Sequence, residues 1–594
     1  MKPFLVTEPQ AGRVPFWGLL FLASAYALPG LLGRDPWRGD DAVGFGVAYN
    51  MLLALQTGKP EHWLISRIPG QLLPDEGPFP FWIGSIVGHW LQGIGLDFSL
   101  TLRLLWALAW LATLVLCWRA VFRLCRRPEW MPHDPLGIAA SPRRIAASLA
   151  DSSVLFLLAT VGLVERVHET SPEAFAMLIA AAGFYCLAWA LDSPKKAGWA
   201  FGAVIAAAFL SKGLWFAFAL GLTLLFLVKA SPQWQSIANA MLPRLALMLT
   251  VSLGLWFWLI YGRVFVNDAL NPANLPTIRE RWIAGWWQLQ FSGPAQGIGQ
   301  RLFELCREPW WFFWPVWPFA AWGLWHLRQR YREPGLLAPI ALIGTTLLLT
   351  PIAPGTSLAW LMPMAIPLAA LAAISLPTLR PGLVRFVDWY AVLIYGLIAF
   401  MFWAYYLAWL LGWPEKMAYR MGILARGDQA AEVWVNSLAA LVISGLWIAL
   451  VVWRLSRRPS VLWKPVLLAS SGLVWIWFLF QTLFLEAHNT RNSYREMAAQ
   501  ISQSASLGSD CISPEQVRPA VQASLQWFAG LQFSDQRDCP WLMIQDSGEA
   551  IRQAPATRNG WQLVWTGARR GEKQERFRLY RQDPVIGLVD PARD

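Results

Sequence analysis

Two adjacent carboxylates, Asp40 and Asp41 in "RDPWRGDDA", follow the first long apolar run of the chain. A second acidic pair, Asp75 and Glu76 in "LPDEGPFPFW", lies in the same polar stretch. Carboxylates beside a membrane are candidates for general-base chemistry or for orienting a nucleophile. The plain alternative is a solvated turn, because "RGDD" after a proline has ordinary turn composition.

A third acidic turn, "ERVHETSPE", contains Glu165, His168, Glu169 and Glu173 between two apolar runs. Ionisable groups at membrane level are energetically costly, which makes them functional candidates, although residues in loops can also be merely hydrated. We expect His168 and Glu169 to contribute to donor or acceptor binding.

Basic side chains accompany these acids. Lys212 in "AFLSKGLWF" separates two apolar runs, and Arg279 and Arg281 lie in "PTIRERWIAGWW". Snorkelling of Lys212 to the interface is the alternative to a binding role. Cations and carboxylates on one face of a membrane suit an anionic, phospholipid-like substrate and a base that deprotonates an acceptor.

Composition indicates the kind of protein that positions these groups. Of the 594 residues, 56% are hydrophobic and 14% are charged. Long apolar runs recur from Phe16 to about Leu485, which is typical of a polytopic membrane protein. The net charge of +12 comes from short basic clusters between apolar runs, not from one basic face. This distribution argues against nucleic-acid binding and predicts orientation in a lipid bilayer.

Hydrocarbon-spanning helices need roughly 20 apolar residues, and loops rich in Lys and Arg stay cytoplasmic. These two rules predict about thirteen spans, an outer C-terminus and a retained first span rather than a cleaved signal peptide. The expected location is the bacterial inner membrane, with the reactive groups and the C-terminal domain on the periplasmic side. The predicted spans are 14–33, 101–122, 145–166, 172–191, 198–211, 213–229, 244–262, 310–327, 336–352, 357–377, 387–411, 431–453 and 461–485.

One apolar run, 78–95, is not counted as a span. Counting it would move the basic cluster between 119 and 144 to the outer side. We expect a juxtamembrane or re-entrant helix here, within a first periplasmic loop at 34–100. A second long periplasmic loop is expected at 262–309, and the membrane module as a whole at 1–485.

The tail at 486–594 mixes helical patterns with short strand-like runs, which predicts a soluble periplasmic α/β domain. It contains Cys511 and Cys539. In an oxidising compartment we expect these two cysteines to form a disulfide, with two buried free thiols as the alternative.

Taken in order, these motifs resemble those of the GT-C superfamily of polyprenyl-phosphate-dependent glycosyltransferases. The most similar members are bacterial aminoarabinose transferases that act on lipid A and protein O-mannosyltransferases. "PWRGDDA" resembles the acidic pair of the first outer loop, and "PDEGPFPFW" resembles an acidic-Lys-Pro-Pro segment that leads into an aromatic helix. "AFLSKGLW" resembles a Thr-Lys-Gly turn, and "SLAWLMPMAIPLAALAA" resembles a Leu- and Pro-rich late span. The resemblance implies a GT-C fold with an outer C-terminal domain.

The resemblance also implies residue roles. Asp40 matches a first-loop carboxylate that acts as the base or orients the acceptor, and Asp41 matches its acidic neighbour. Asp75 matches the acid of the second motif, and Lys212 matches a lysine that could meet the donor phosphate. Glu76 departs from the family pattern, because many relatives have a phosphate-holding lysine there. The loop at 262–309 contains no histidine, so a divalent metal is left open and no other cofactor is implied.

We therefore expect an inverting glycosyltransferase that moves a sugar from a polyprenyl-phosphate donor to a periplasmic lipid, glycan or protein. Lys212, with Arg279 or Arg281, would hold the phosphate. A transporter or flippase of a lipid-linked glycan is the alternative, and a scaffold without activity is a third hypothesis. Transporters place ionisable residues near the membrane midplane, whereas these residues are predicted at the outer ends of spans.

Overall fold

The computed structural model describes most of the chain. The described residues are 6–59, 61–127, 139–265, 278–294, 297–422, 430–456, 461–505, 507–508, 510–534, 539–547, 557–558, 560–570, 572 and 574–582. Part of the segment with the basic cluster between 119 and 144 lies outside these ranges, as do Arg457 and Arg458, which form a further basic cluster with Arg454.

Helices make up most of the described residues, and several of them begin at a proline, where the absent N–H would have no helical partner. The helices of the first half are α1 Phe16–Ala27, α2 Asp40–Thr57, α3 Glu61–Leu64, α4 Phe79–Gln92, α5 Phe98–Cys125, α6 Pro142–Ala159, α7 Leu163–Arg166, α8 Pro172–Ala190, α9 Pro194–Lys212, α10 Leu214–Ala230 and α11 Pro232–Ile260. Those of the second half are α12 Ile278–Phe291, α13 Gly297–Phe312, α14 Val316–His326, α15 Pro334–Leu349, α16 Ser357–Leu361, α17 Ala365–Ser375, α18 Pro381–Leu411, α19 Glu415–Gly422, α20 Ala430–Ser456, α21 Lys464–Leu483, α22 Leu485–Asn492, α23 Arg495–Ser504 and α24 Pro519–Ala529. A π-helical turn, Tyr261–Phe265, continues α11, and 3-10 turns Met362–Met364 and Leu376–Thr378 flank α17.

Seven helical segments within the described residues are long and apolar enough to cross a membrane. They are Phe98–Cys125, Pro172–Ala190, Pro232–Val264, Ser357–Thr378, Pro381–Leu411, Val433–Ser456 and Lys464–Leu483. Each of the thirteen predicted spans contains a helix, but the number of crossings stays a prediction. The chain is a multi-pass membrane protein.

The apolar helices differ in how much of their surface is enclosed. The segments around α8, α17 and α21 are mainly buried, whereas less than a third of the apolar segment is buried in each of α11, α18 and α20. Large apolar side chains such as Leu393 and Phe400 on α18 are among the exposed ones. In a membrane protein, this pattern indicates an inner layer of helices surrounded by helices that face lipid.

The segment between α1 and α5 folds against the membrane helices. It contains α2, α3, a two-strand hairpin of β1 Arg67–Ile68 and β2 Gln71–Leu72, and α4. Helix α4 has 14 residues; at ~1.5 Å per residue it is about 21 Å long, shorter than the ~30 Å hydrocarbon core. It packs against α2 and α5.

The stretch predicted as a long loop at 262–309 is instead largely helical where it is described. Helices α12 and α13 occupy most of it, while residues 266–277 and 295–296 lie outside the described part. Helix α13 turns its charged face inward: Arg301, Glu304 and Glu308 are buried, whereas Leu302 and Phe303 are exposed. This inversion of the usual amphipathic pattern is typical of a helix whose outer face meets lipid.

The C-terminal region contains a six-stranded sheet in the order β4-β3-β5-β8-β7-β6. Strand β3 pairs in parallel with β4 and β5, and the remaining neighbours pair antiparallel. A disulfide joins Cys511 and Cys539, the predicted pair. The strands are β3 Cys511–Glu515, β4 Gln532–Phe533, β5 Trp541–Ser547, β6 Thr557–Arg558, β7 Trp561–Gly567 and β8 Glu575–Gln582.

This sheet region docks on α2 and on the loop before it. Asn50 and Gln526 exchange two side-chain hydrogen bonds, at 2.8 and 3.1 Å. Arg495 forms an ion pair with Asp35. The C-terminal region therefore supports the segment that carries the first acidic pair.

Candidate functional site

The two acids of the first pair occupy different environments. Gly39, with φ of +90°, precedes α2 and allows the chain to turn into the helix. Asp41 is 2% exposed and accepts hydrogen bonds from the backbone N–H of Trp37 at 2.9 Å and of Thr170 at 2.6 Å. Asp41 also pairs with the buried guanidinium of Arg34, at 3.1 Å. Asp41 therefore fastens the first-loop segment to the turn before α8.

The electrostatics of Asp41 agree with this structural position. Burial raises the pKa of its carboxyl, but the charges of Arg34 and Arg103 and the two backbone hydrogen bonds outweigh burial, so its pKa lies below the ordinary value. Asp41 was predicted together with Asp40 as the catalytic pair; its side chain is enclosed and does not line the cavity described next.

Asp40 lines a cavity of about 590 Å³. Its side chain is 53% exposed, and the nearest cation, the Arg166 guanidinium, is 3.9 Å from its carboxylate oxygen. Partial desolvation and the Glu173 carboxylate raise the pKa of Asp40, while Lys212 and Arg166 lower it, with a net rise. Asp40 is an accessible carboxylate in a position to accept a proton from a bound molecule.

Lys212 reaches the same cavity from the C-terminal end of α9 and forms an ion pair with Glu173 in the first turn of α8. The chain reverses at Gly213, whose φ is +78° and whose Cβ position lies 2.7 Å from the Gln290 side-chain nitrogen. Gln290 in turn accepts a hydrogen bond from the backbone N–H of Leu214, at 3.2 Å. Glycine at 213 thus lets α12 close one side of the cavity.

Asp75 and Glu76 also line the cavity. The backbone N–H of Gly77 donates to the Ser211 carbonyl at 3.2 Å, and a Cβ at 77 would lie 2.1 Å from the Leu210 carbonyl oxygen. This close approach holds the acidic pair beside Lys212. Burial, together with the neighbouring carboxylates, raises the pKa of Glu76 well above its ordinary value, although Lys212 opposes the rise.

The opposite wall comes from α13 and the turn before α16. Arg301 is 2% exposed, and its guanidinium donates to the Gly355 carbonyl. Two further nitrogens of Arg301, Nε and Nη1, have no hydrogen-bond partner within the described residues. Glu308 accepts from the Ser357 hydroxyl at 2.5 Å, which joins the two elements.

The cavity contains more acids than bases. The carboxylates that line it are Asp40, Asp75, Glu76, Glu173, Glu304 and Glu308, and the lining cations are Lys212 and Arg301. Phe216 and Trp360 provide apolar surface. Within the described residues, no three His, Cys, Asp or Glu side chains are grouped so as to hold a metal ion.

Two predicted residues lie outside this cavity. His168 is packed between the rings of Tyr26 and Trp477, and its ring nitrogens contact the carbonyl oxygens of Val164 at 2.7 Å and Tyr26 at 2.8 Å. Burial lowers the pKa of His168 to about 4, while the contacts of its two ring nitrogens with the Tyr26 and Val164 carbonyl oxygens act in the opposite direction. These contacts fit a structural histidine rather than one that binds a substrate.

Glu169 pairs with Arg166 at 3.3 Å and does not line the cavity. Burial raises the pKa of Glu169 to about 8, against the opposing effect of Arg166. Its contribution to the cavity is indirect, because Arg166 is also the cation nearest to Asp40.

Arg279 and Arg281, one of which was predicted to act with Lys212, do not line the cavity that contains Lys212. Arg281 lines a different cavity, of about 430 Å³, together with Lys59 and Arg67. That cavity lies between α2, the β1–β2 hairpin, α12 and the C-terminal region. Arg279 lines neither of the two cavities.

Arg301 is the cavity cation that the sequence patterns did not single out. The spacing could have indicated it, since Arg301, Glu304 and Glu308 recur at helical intervals in a stretch that also contains Arg307 and several large apolar residues. Charges at that spacing resemble a solvated helix face, and only the packing of α13 against the turn at 354–357 makes the face internal.

No protein-family model and no curated protein matches the sequence. Among solved structures, the chain is similar to ArnT from Cupriavidus metallidurans bound to undecaprenyl phosphate, with 17% identity and a TM-score of 0.61. That alignment covers 95% of this chain and 98% of the ArnT chain. The apo state of the same protein aligns with 16% identity and a TM-score of 0.60, over 95% of this chain and 97% of that one.

The chain has an ArnT-like fold. The fold class predicted from the motif order is thereby confirmed over nearly the whole chain. At this level of identity the likeness concerns the ArnT-like fold alone, so the roles of individual residues depend on the geometry of the cavity.

Proposed function

We propose that this protein is an integral-membrane glycosyltransferase that moves a sugar from a polyprenyl-phosphate donor to an acceptor. The observation that carries the proposal is a single cavity lined by the accessible Asp40 and by two cations, Lys212 and Arg301. The ArnT-like fold supports it, since ArnT was solved with undecaprenyl phosphate.

The donor phosphate is proposed to bind Arg301. Its two guanidinium nitrogens without partners in the described part of the chain can donate to phosphate oxygens. Lys212 forms an ion pair with Glu173, so we expect it to stabilise the phosphate through its positive charge and not through a direct hydrogen bond. When the sugar–phosphate bond breaks, negative charge increases on the phosphate, and cations already in place stabilise it.

The isoprenoid chain would leave along the apolar part of the wall. Phe216 and Trp360 line the cavity and belong to α10 and α16, which are apolar helices. A lipid donor needs such a passage between the polar cavity and the bilayer.

Asp40 is proposed to take the proton from the acceptor oxygen, or to orient that oxygen for attack. A single displacement in which the acceptor attacks the anomeric carbon directly would invert its configuration. This scheme needs one accessible carboxylate on the acceptor side, which Asp40 supplies.

The acceptor is proposed to approach from the cavity that contains Arg281, which also has Lys59 and Arg67 in its lining and, among the described side chains, no carboxylate. Helix α12 connects the two cavities, since Arg281 and Gln290 are nine positions apart, or roughly 13 Å along the axis at ~1.5 Å per residue. An acceptor with an anionic group, whether lipid, glycan or protein, fits this lining. We further propose that both cavities face the periplasm of a bacterial inner membrane, from the positions of the basic clusters.

A flippase for a lipid-linked glycan is the alternative, and one experiment separates the two. Membranes with the wild-type protein, Asp40→Asn or Glu165→Gln at matched expression are supplied with a panel of radiolabelled undecaprenyl-phosphate sugars. We expect Asp40→Asn to reduce transfer by about 10²–10⁴-fold, the usual contribution of a general base. Glu165→Gln, an exposed acid outside the cavity, should leave transfer unchanged.

The opposite result is equally informative. If labelled donor changes leaflet without transfer or hydrolysis, and does so equally in all three proteins, the glycosyltransferase proposal is wrong and the flippase is favoured.

A further inference from the structure

An apolar cavity separate from the proposed catalytic one lies between α1, α6, α20 and α21. It has a volume of about 360 Å³, and Gly18, Phe21, Leu446 and Trp447 are among its lining residues. Phe21 and Leu446 are also 54% and 51% exposed, so the cavity opens on the outer surface of the helix bundle. At the level of membrane helices, the medium outside that opening is lipid hydrocarbon.

The shape of this cavity suits a hydrocarbon chain. Along α21 its lining runs from Trp463, just before the helix, to Trp475. Twelve positions at ~1.5 Å per residue correspond to about 18 Å. Aliphatic and indole side chains dominate the wall, so a polar solute would lose hydration without replacement hydrogen bonds.

A buried cation lies beside one end of the cavity, although it is not one of the lining residues. Lys464, the first residue of α21, is 2% exposed, and its Nζ has no hydrogen-bond partner within the described residues. The same Nζ lies 5.6 Å from the ring centroid of Trp453, which lines the cavity. A buried ammonium without an acceptor is costly, and an anionic ligand would relieve that cost.

Neighbouring charges leave this end positive. Arg454 on α20 forms an ion pair with Asp388, and Arg13 forms an ion pair with Asp151. The Asp388 carboxylate also attracts the Lys464 ammonium, so one carboxylate serves two cations and this end keeps a net positive charge.

The cavity wall contains a second buried donor. The indole N–H of Trp447, a residue that is 7% exposed, has no hydrogen-bond partner within the described part of the chain. The Trp447 ring stacks on that of Trp475, with the ring centroids 4.2 Å apart, at the end of the lining opposite Trp463 and Lys464. The N–H donor and the cation therefore lie at opposite ends of the apolar lining.

We propose that this cavity binds an anionic membrane phospholipid, with an acyl chain in the cavity and its phosphate on Lys464. Basic pockets between membrane helices are known to bind anionic head groups. The site shares no residue with the proposed catalytic cavity, so it stands whether or not the glycosyltransferase proposal is correct.

The test is native mass spectrometry of the full-length protein, delipidated in mild detergent and titrated with phosphatidylglycerol or phosphatidylcholine of identical acyl chains. Gly18→Leu fills the cavity without removing a contact, since the nearest heavy atom to a Cβ there is 4.0 Å away. Gly445→Leu on α20 is its control, because a Cβ there meets no heavy atom within 4 Å and the residue does not line the cavity. Lys464→Gln tests the charge, with the exposed Lys195→Gln as its control.

We expect the wild type to prefer phosphatidylglycerol by roughly fivefold, the equivalent of one lysine at an anionic lipid surface. Lys464→Gln should abolish that preference, Gly18→Leu should weaken binding of both lipids, and both controls should match the wild type. Equal retention of the two lipids by the wild type would overturn the proposal, as would unchanged binding in Gly18→Leu. If Lys464→Gln fails to fold, the binding of lipid to Gly18→Leu and the lipid preference of the wild type still test the proposal.

Discussion

At the residue scale, two neighbouring aspartates have different environments because consecutive helical positions point about 100° apart. Asp41 turns into the protein and joins α2 to the turn before α8, whereas Asp40 turns into the cavity. A substitution at Asp41 would therefore report on folding, and one at Asp40 on activity.

Replacing Arg301 with Gln should weaken use of the donor. The substitution removes the charge and most of the donors of a guanidinium, so we expect transfer efficiency to fall by about 10–100-fold, as for the loss of one charge-assisted hydrogen bond. Arg301→Lys keeps the charge without the planar fork and should be intermediate. The measurement is initial rate against donor concentration.

Arg332→Gln provides the control, because Arg332 is exposed and does not line the cavity. A donor dependence for Arg301→Gln equal to that of the wild type would exclude Arg301 from phosphate binding.

The pH profile tests the state of Asp40. Asp40 must be ionised to accept a proton, so activity should be lost as pH falls through its pKa. Desolvation and Glu173 place that pKa above 3.8, and the acidic limb of kcat/KM should lie above that value. Arg166 lowers the pKa of Asp40, so Arg166→Gln should move the limb to higher pH.

Arg38→Gln is a suitable comparison, because Arg38 pairs with Glu572 and does not line the cavity. A limb at the same pH in the wild type and Arg166→Gln would mean that Asp40 does not control the reaction.

At the element scale, the site forms where several helix ends meet. The N-terminus of α2, the first turn of α8 and the C-terminal end of α9 provide Asp40, Glu173 and Lys212. The buried face of α13 closes the opposite side. Gly77, two residues before α4, approaches the C-terminal end of α9 closely because it has no side chain to meet the Leu210 carbonyl oxygen.

Gly77→Ala should displace the segment that contains Asp75 and Glu76. The new Cβ would lie 2.1 Å from the Leu210 carbonyl oxygen, a backbone atom that no rotamer change can move. Overpacking of this kind costs about 1–3 kcal/mol. We expect a lower Tm and a loss of transfer of more than about tenfold, because catalytic geometry tolerates little displacement.

Gly221→Ala in α10 is the matched control, since a Cβ there meets no heavy atom within 4 Å. If Gly77→Ala retained both the wild-type Tm and full transfer, the close approach at Gly77 would not be what positions the acids.

At the scale of the whole molecule, the C-terminal region is coupled to the site through α2. Helix α24 packs along α2, and Gly46 faces Ala523. The cavity that contains Arg281 lies between the same two parts of the chain. Docking of the sheet region should therefore support both cavities.

Gly46→Leu should separate α24 from α2. A Cβ at position 46 would lie 2.4 Å from the Ala523 Cβ, so a leucine has no room without movement. We expect faster amide hydrogen exchange in α2 and α24 and lower transfer, with the membrane helices unchanged. Gly396→Leu on α18, where a Cβ meets no heavy atom within 4 Å, should have no such effect. Wild-type exchange in α24 of Gly46→Leu would show that docking does not depend on this contact.

Local patterns accounted for much of the fold. Apolar length is a property of each segment, so all thirteen predicted spans contain helices, and the motif order indicated the ArnT-like fold. Charged groups beside apolar runs are conspicuous in a sequence, and four of those predicted as site residues line one cavity: Asp40, Asp75, Glu76 and Lys212. The same pattern predicts four residues that lie outside this cavity: His168, Glu169, Arg279 and Arg281. Sequence position does not indicate which way a side chain points.

The sequence by itself determined the membrane class, the helical segments and the presence of acids and cations near their ends, since hydrophobic length and charge depend on residue type alone. Only the tertiary structure decided that Asp41 is buried against Arg34, that Arg301 enters the cavity and that Arg281 belongs to a second one. Those outcomes depend on packing between segments far apart in the chain, where close contacts such as Gly77 with Leu210 determine which side chains share a space.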